Sequence, residues 1–214
     1  MYSWSASCEG YNLRAVNILT DETCPILEGN FLTAALDPTS GSVALAVEEN
    51  DPECGVEAAA GLYLIPPGDQ GAIQVAVEDE VEIDYPSELV WSEAQEQFLF
   101  GTEGGLVAIN LSGELSLLPT PGANSPVISP DGSLLAWRLT SLQDIVGVWV
   151  AEWNTDPRQI YSEHTGWTMW MDSPSLLFIG SDGLYSAREP DYEPVLVQPG
   201  FWAAGMASSD RGRR

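Results

Sequence analysis

The chain has 214 residues, with 32 acidic side chains against seven arginines and no lysine, a formal net charge of −25 and a pI near 4.1. That balance argues against binding nucleic-acid phosphates or an anionic membrane surface, since both are polyanions. Apolar residues make up 44% of the chain, eight tryptophans among them, which is core material that a disordered acidic segment lacks. The apolar runs are strand-sized and too short for a bilayer-crossing helix. The opening residues, MYSWSASCEG, show neither the charged nor the apolar region of a signal peptide.

In chain order, the first strand-like segments are Tyr2-Ser3-Trp4-Ser5, Tyr11 to Leu19, and Cys24-Pro25-Ile26-Leu27. A hairpin pattern, LDPTSGSVALAV, starts at Leu36 and is followed by Gly61-Leu62-Tyr63 and by AIQVAV from Ala72. The same order recurs from Val90, with VWSEAQEQFLFG, Gly105-Leu106-Val107 and ELSLL from Glu114. It recurs again from Val127, with VISPDGSLLAWR, Gly147-Val148-Trp149 and RQIY from Arg158. A fourth round starts at Trp170, with WMDSPSLLFIG, Gly183-Leu184-Tyr185 and PVLV from Pro194, and a partial fifth, GMASSDRGRR, at Gly205. Asp131-Gly132 between short apolar flanks is the clearest hairpin signal of the set.

Four short strands per unit, with turn chemistry between them, are the signature of a propeller blade. The residues before each turn (Leu36, Trp91, Ile128, Trp170 and Ala207) are spaced by 55, 37, 42 and 37 residues, and by 43 around through the two termini. The 55-residue unit is long because Glu48 to Ala60 reads as an extended loop. The expected fold is therefore all-β: one domain over residues 1–214, a propeller of five four-stranded blades. The units fall at about 31–84, 85–121, 124–163 and 166–200, with a split blade made of 201–214 and 1–30. In that blade Phe201 to Ser208 would lie beside Tyr2 to Ala6, removing a free sheet edge. The competing reading is a slice of a longer propeller, cut mid-repeat at both ends.

The stretch SPDGSLLAW (Ser129 to Trp137), followed by a Gly-Val-Trp strand and RQIY, resembles the repeat of TolB-like, WD-like β-propellers. The other units are degenerate. The Leu36 unit keeps Asp37-Pro38 without the Asp-Gly turn, the Trp91 unit has Ser92-Glu93, and the Trp170 unit has Asp172-Ser173-Pro174. The Asp-box of sialidase-type propellers does not match, because Gly132 follows Asp131 directly. The resemblance implies a binding or scaffolding module, in the periplasm, at a cell surface, or fused ahead of a serine peptidase domain. Its expected partner is a protein or an extracellular ligand.

Residues able to carry chemistry are few. The one histidine, His164, lies in a turn-like stretch, and no G-x-S-x-G elbow occurs, so a hydrolytic triad is not assembled from this chain. One acid sits near each first turn: Asp37, Glu93, Asp131, Asp172 and Asp210. Paired channel carboxylates would suit a glycoside hydrolase. An acid that follows the repeat is equally explained by hydrogen bonds to turn amides, and Ser129, Asp131 and Gly132 are read as structural turn residues. No catalytic residue is assigned.

Eleven acids gather in two runs, Glu48, Glu49, Asp51, Glu53 and Glu57, and Glu78, Asp79, Glu80, Glu82, Asp84 and Glu88. Glu48, Glu49, Asp51 and Glu53 are candidate calcium ligands, although the D-x-D-x-D-G spacing is absent. No other cofactor is implied. The second run alternates with Val81 and Ile83, as on an edge strand protected by repulsion. Trp91, Trp170 and Trp202 belong to first strands and are candidate ligand-stacking residues at the channel, whereas Trp4, Trp137 and Trp149 are expected between blades. Trp167 and Trp170, three apart, should point to opposite faces. Cys8 and Cys24 flank one strand and could pair, which leaves Cys54 over. The leading expectation is a monomeric, non-catalytic binding module that presents loops and the channel mouth. The rivals are a carbohydrate-active enzyme and the propeller portion of a larger serine peptidase.

Overall fold

Runs rich in Val, Ile, Leu and aromatic residues, broken by Gly, Pro, Asn and Asp, favour pleated strands over helices. The structure, a computed structural model, describes residues 11–16, 19–48, 61–68, 71–75, 88–102, 104–118, 120, 122–140, 145–153 and 155–200. Among them are seventeen strands and no helix. These are β1 (Tyr11–Val16), β2 (Thr23–Leu36), β3 (Val43–Glu48), β4 (Gly61–Ile65) and β5 (Ile73–Gln74). Next come β6 (Leu89–Ser92), β7 (Gln97–Thr102), β8 (Gly105–Asn110) and β9 (Leu115–Leu117), then β10 (Ala123–Ile128), β11 (Leu134–Thr140), β12 (Ile145–Glu152) and β13 (Arg158–His164). The last are β14 (Thr168–Asp172), β15 (Ser175–Ile179), β16 (Gly183–Arg188) and β17 (Val195–Pro199).

Every sheet is an antiparallel meander in chain order: β1 to β5, β6 to β9, β10 to β13, and β14 to β17. The first strand of each later sheet packs on strands of the sheet before it: β6 on β2 and β3, β10 on β6, β7 and β8, β14 on β10 and β11. That radial stacking of meanders is a β-propeller. The five-stranded sheet contains parts of two units. The first half of β2 pairs with β1 (Val16↔Thr23 to Tyr11↔Gly29), and its second half pairs with β3 (Asn30↔Glu48 to Leu36↔Val43). The separate strands expected at Cys24 to Leu27 and after residue 31 are thus one. The backbone stays extended through Gly29 because each side of the crossover still finds a ladder partner. β1 and the start of β2 are the described part of a fifth unit. Tyr2 to Ala6, Phe201 to Ser208, and the acidic run 78–84 lie outside the described residues, as do Cys8 and Cys54.

Period-two alternation puts each strand's side chains into two successive cores. On β3, Val43, Leu45 and Val47 join Leu13, Phe31 and Tyr63, whereas Ala44 and Ala46 join Phe98, Phe100 and Ile109 of the next sheet. Leu99 and Leu106 meet Leu135 and Trp137, with Trp149 packed alongside. Leu134, Ala136 and Val148 meet Trp170, Leu176 and Phe178. Each fully buried large side chain is worth about 1.5–3 kcal/mol of transfer free energy, so the interfaces between blades, not the ladders alone, hold the ring together. On β14 the alternation sends Trp170 into this core at 7% exposure, while Trp167, just before the strand, is 51% exposed.

The repeated glycine opens the third strand at Gly61, Gly105 and Gly183 and lies inside β12 at Gly147, and at Gly105 and Gly183 it has a steric cause. A Cβ on Gly105 would stand 2.7 Å from the carbonyl oxygen of Thr120, and one on Gly183 would collide with the carbonyl of Gln198. The backbone of or just after the outer strand passes so close over these two points that only a residue without a side chain fits.

Candidate functional site

The first turns of three successive blades touch one another at one face of the propeller. A Cβ on Gly132, in the β10–β11 turn, would lie 2.5 Å from the Cβ of Ala94 in the β6–β7 turn. On the other side, the Asp131 amide donates to Ser173 Oγ of the β14–β15 turn at 3.1 Å.

The β10–β11 turn holds itself together through its own polar groups. Ser129 Oγ donates to Asp131 Oδ1 at 2.7 Å and accepts the Leu134 amide at 2.9 Å. The Ser133 amide and hydroxyl also donate to Asp131 Oδ1, at 3.1 and 2.8 Å. Gly132, at φ 74°, closes the turn by donating to the Ser129 carbonyl at 2.8 Å. The Ser129 hydroxyl first, and then the Ser133 amide and hydroxyl, hold the Asp131 carboxyl far below the usual carboxylate range.

Asp37 does the same work from a different position, since it stands where the later turn has Ser129. Its carboxylate accepts the Thr39 amide at 2.8 Å, the Ser40 amide at 3.2 Å and the Ser40 hydroxyl. Burial pushes its pKa up, but the Ser40 hydroxyl and the Thr39 and Ser40 amides together outweigh that and hold it below the usual carboxylate range. The acids of the first turns are therefore not one repeated element. Two are turn-internal acceptors at different turn positions, Glu93 and Asp172 are exposed side chains, and Asp210 lies outside the described residues.

Between the β6–β7 and β10–β11 turns lies an open cleft of about 340 Å³, lined by Trp91, Glu93, Ala94, Ile128, Pro130 and Asp131, among others. The half-buried Trp91 is braced by Phe98, with ring centroids 4.6 Å apart and planes tilted by 54°. The three tryptophans expected at the channel therefore part company. Trp91 borders the cleft, with its half-buried ring packed on Phe98 and the core toward the preceding blade. Trp170 is a plug between blades, its indole N–H donated to the Val127 carbonyl at 3.1 Å. Trp202 lies outside the described residues. The Ala94–Gly132 contact and Ala94's place in the wall escaped the sequence reading, because an alanine in a turn carries no chemical signal.

β10 and β12 run toward the turns and β11 and β13 away from them, so His164, which ends β13, sits at the opposite end of the blade. Among the described residues no three His, Cys, Asp or Glu side chains converge as metal ligands. Of the calcium candidates, Glu49, Asp51 and Glu53 lie outside the described residues, and Glu48 is described only as the last residue of β3.

No protein-family model matches the chain, and no curated protein does. Solved structures do. A puromycin-hydrolyzing peptidase of Mycobacterium tuberculosis matches with a TM-score of 0.63 and 16% identity, over 93% of this chain and 38% of that one. TolB of Acinetobacter baumannii matches at 0.57 and 14%, over 92% of this chain and 52% of that one. A putative TolB of Agrobacterium tumefaciens matches at 0.59 and 12%, over 87% and 69%. At these identities the likeness is one of fold: the chain is a β-propeller of the kind seen in TolB. It spans little more than a third of the peptidase and about half of the first TolB chain.

Proposed function

We propose that this propeller is a non-catalytic binding module that takes a protein or peptide ligand on its turn face, with the Trp91 cleft as the contact site. The observation that carries this reading is the state of Asp131. Its carboxylate is the cleft's best-placed acid, yet three turn hydrogen bonds end on one of its oxygens and keep it ionised. A carboxyl so held neither donates a proton at neutral pH nor swings to meet a substrate. An anion fixed in an open cleft suits recognition of a ligand instead. The module is taken to act as a monomer, in the periplasmic or extracellular setting that the TolB resemblance implies, and without a bound metal.

The rival carbohydrate-active reading needs two converging carboxylates with divergent acidities. Assay of the purified chain against aryl glycosides and peptidyl anilides tests both at once. Binding of peptides without turnover is expected. Turnover that Glu93→Gln abolishes would overturn the module reading.

A second reading is favoured by the peptidase likeness, which covers 93% of this chain but 38% of that one. On that reading the propeller is one portion of a larger peptidase. The genomic sequence on either side of these codons decides it by encoding, or not encoding, a peptidase domain in frame.

A further inference from the structure

We infer that the open apolar face of the β14–β17 sheet is the seat of the chain's own residues 201–208, which lie against it as the inner strand of the fifth unit. This goes beyond the binding-module reading and does not depend on it. Repeat spacing expects a strand there, but the face that takes it and the side chains that meet come from the packing. Each of the three interfaces between the described sheets is filled. On the faces turned to the next sheet, Ala44 and Ala46 of β3, Leu99 of β7 and Ala136 of β11 are at most 1% exposed. Leu177 holds the corresponding place on β15, paired with Met169 as Leu99 is with Val90 and Ala136 with Val127. It is only half-buried, as are Ile179 and Leu184, and Met169 and Met171 are 36% and 62% exposed. Strand alternation puts these five on one face, because Trp170, Leu176, Phe178 and Tyr185 point the other way into the preceding core. A contiguous apolar face of this kind marks a contact surface.

The chain is placed to supply the cover itself. β1 and the start of β2 are the third and fourth strands of a unit, seated on the first sheet through Leu13, Ile26 and Leu27. The two strands that precede such a pair in the other units are not among the described residues. Gly200, at φ 74°, donates to the Asp182 carbonyl at 2.7 Å, beside the β15–β16 turn. That is the end of the sheet at which β14 starts, so the chain leaves the fourth sheet where an inner strand begins. Three residues, 165–167, carry the chain from β13 to β14, and the same number after Pro199 brings it to Ala203.

Size complementarity selects residues 201–208 as the occupant. At two filled interfaces a large residue just before the first turn shares its core with small ones of the preceding sheet: Trp91 with Ala44 and Ala46, and Trp170 with Ala136. The open face reverses this. Leu177, Ile179 and the two methionines are all large, so close packing there needs a strand with small side chains on the facing side. Trp91, Ile128 and Trp170, the residues before each turn, all face the preceding sheet. Their counterpart in the fifth unit is Ala207, and alternation puts Gly205 and Ala203 on the same side. The larger Trp202 and Met206 then fall on the other side, toward the core of Leu13 and Phe31. Large still meets small, with the two partners exchanged.

The test uses the full chain. Leu177→Ala and Ala207→Trp together install the size pattern of Ala136 and Trp170. Each alone is expected to lower Tm by about 4–8 °C, the first by opening a cavity and the second by overfilling the interface. The double variant should regain at least half of the summed loss, because the two sites are in contact. Losses that simply add, or an Ala207→Trp protein as stable as the parent, overturn the proposal. Hydrogen exchange of the parent chain, read by mass spectrometry, needs no variant to fold. The amides of residues 203–207 are expected to exchange at least about 100-fold more slowly than in the isolated peptide, and Leu177→Ala should speed them. Exchange at the rate of the peptide leaves the face to another occupant and overturns the proposal. Protection that fades on dilution, as a dimer parts, gives the face to a second copy and overturns it too.

Discussion

Trp170 and Val127 are joined by a hydrogen bond of 3.1 Å between blades, from the indole N–H on β14 to the backbone carbonyl on β10. The Trp170 ring also stands edge-on to Tyr192, with centroids 6.2 Å apart. A residue read from sequence as a stacking surface instead locks two first strands together. Trp170→Phe keeps most of the buried area and loses the bond, so it should cost about 1–2 kcal/mol in urea unfolding. Trp170→Ala opens a cavity as well and should cost about 3–5 kcal/mol. A Trp170→Phe protein as stable as the parent would show that the bond does not tie the blades.

Ser129 and Ser92 hold equivalent places in adjacent turns and should respond oppositely to alanine. Ser129 Oγ satisfies the Leu134 amide and donates to Asp131. Ser92 is fully buried, and its hydroxyl finds no partner, because Ala94 stands where the next turn has Asp131. Ser129→Ala is expected to destabilise by about 1–3 kcal/mol by orphaning a buried amide. Ser92→Ala removes an unsatisfied polar atom and should be neutral or stabilising by up to about 1 kcal/mol. Chemical denaturation of the pair reads the contrast directly.

Gly132 carries two constraints that substitution can separate. Its φ of 74° is strained for any side chain, and an added Cβ would press on Ala94. Gly113 has φ 85° and nothing within 4 Å of the added carbon. Gly113→Ala should therefore cost only the conformational strain, about 1–2 kcal/mol. Gly132→Ala should cost more, and Ala94→Gly in the same protein should recover the excess and no more. Full recovery to the parent's stability would refute the strain at position 132.

The lowered acidities of Asp37 and Asp131 predict an acid limb to stability. A carboxyl whose folded pKa lies below its unfolded value, near 4, contributes stability that is complete above that value and is lost as pH falls. Protonation also relieves repulsion in a chain of charge −25, which acts in the opposite direction. The difference between the parent and Asp131→Asn isolates the turn. Their Tm values should be furthest apart above pH 5 and draw together progressively as pH falls below about 4. A gap that does not change with pH would show that the Asp131 charge is not held by its hydrogen bonds.

Much of the architecture is legible because its causes are local. The Asp131-Gly132 turn, the glycines that open β8 and β16 and the alternation along β3 are decided by atoms within a few residues or one neighbouring strand. The continuity of β2 was less legible, since Gly29-Asn30 reads as a break and only the partners on either side keep it extended. The site was less legible still. Asp37 and Asp131 look alike in the sequence as turn acids, yet they occupy different turn positions and make different hydrogen bonds.

From its sequence alone this protein is a repeating all-β chain with a heavy excess of negative charge. Composition sets the charge, and turn and strand chemistry set the repeat. Only the tertiary structure decided which tryptophan is core and which borders a cleft, and which two turns, nearly 40 residues apart, share that cleft. Those outcomes depend on how one blade packs on the next. A pattern of period two gives every strand two faces, but the neighbouring blade decides how much of each face is covered.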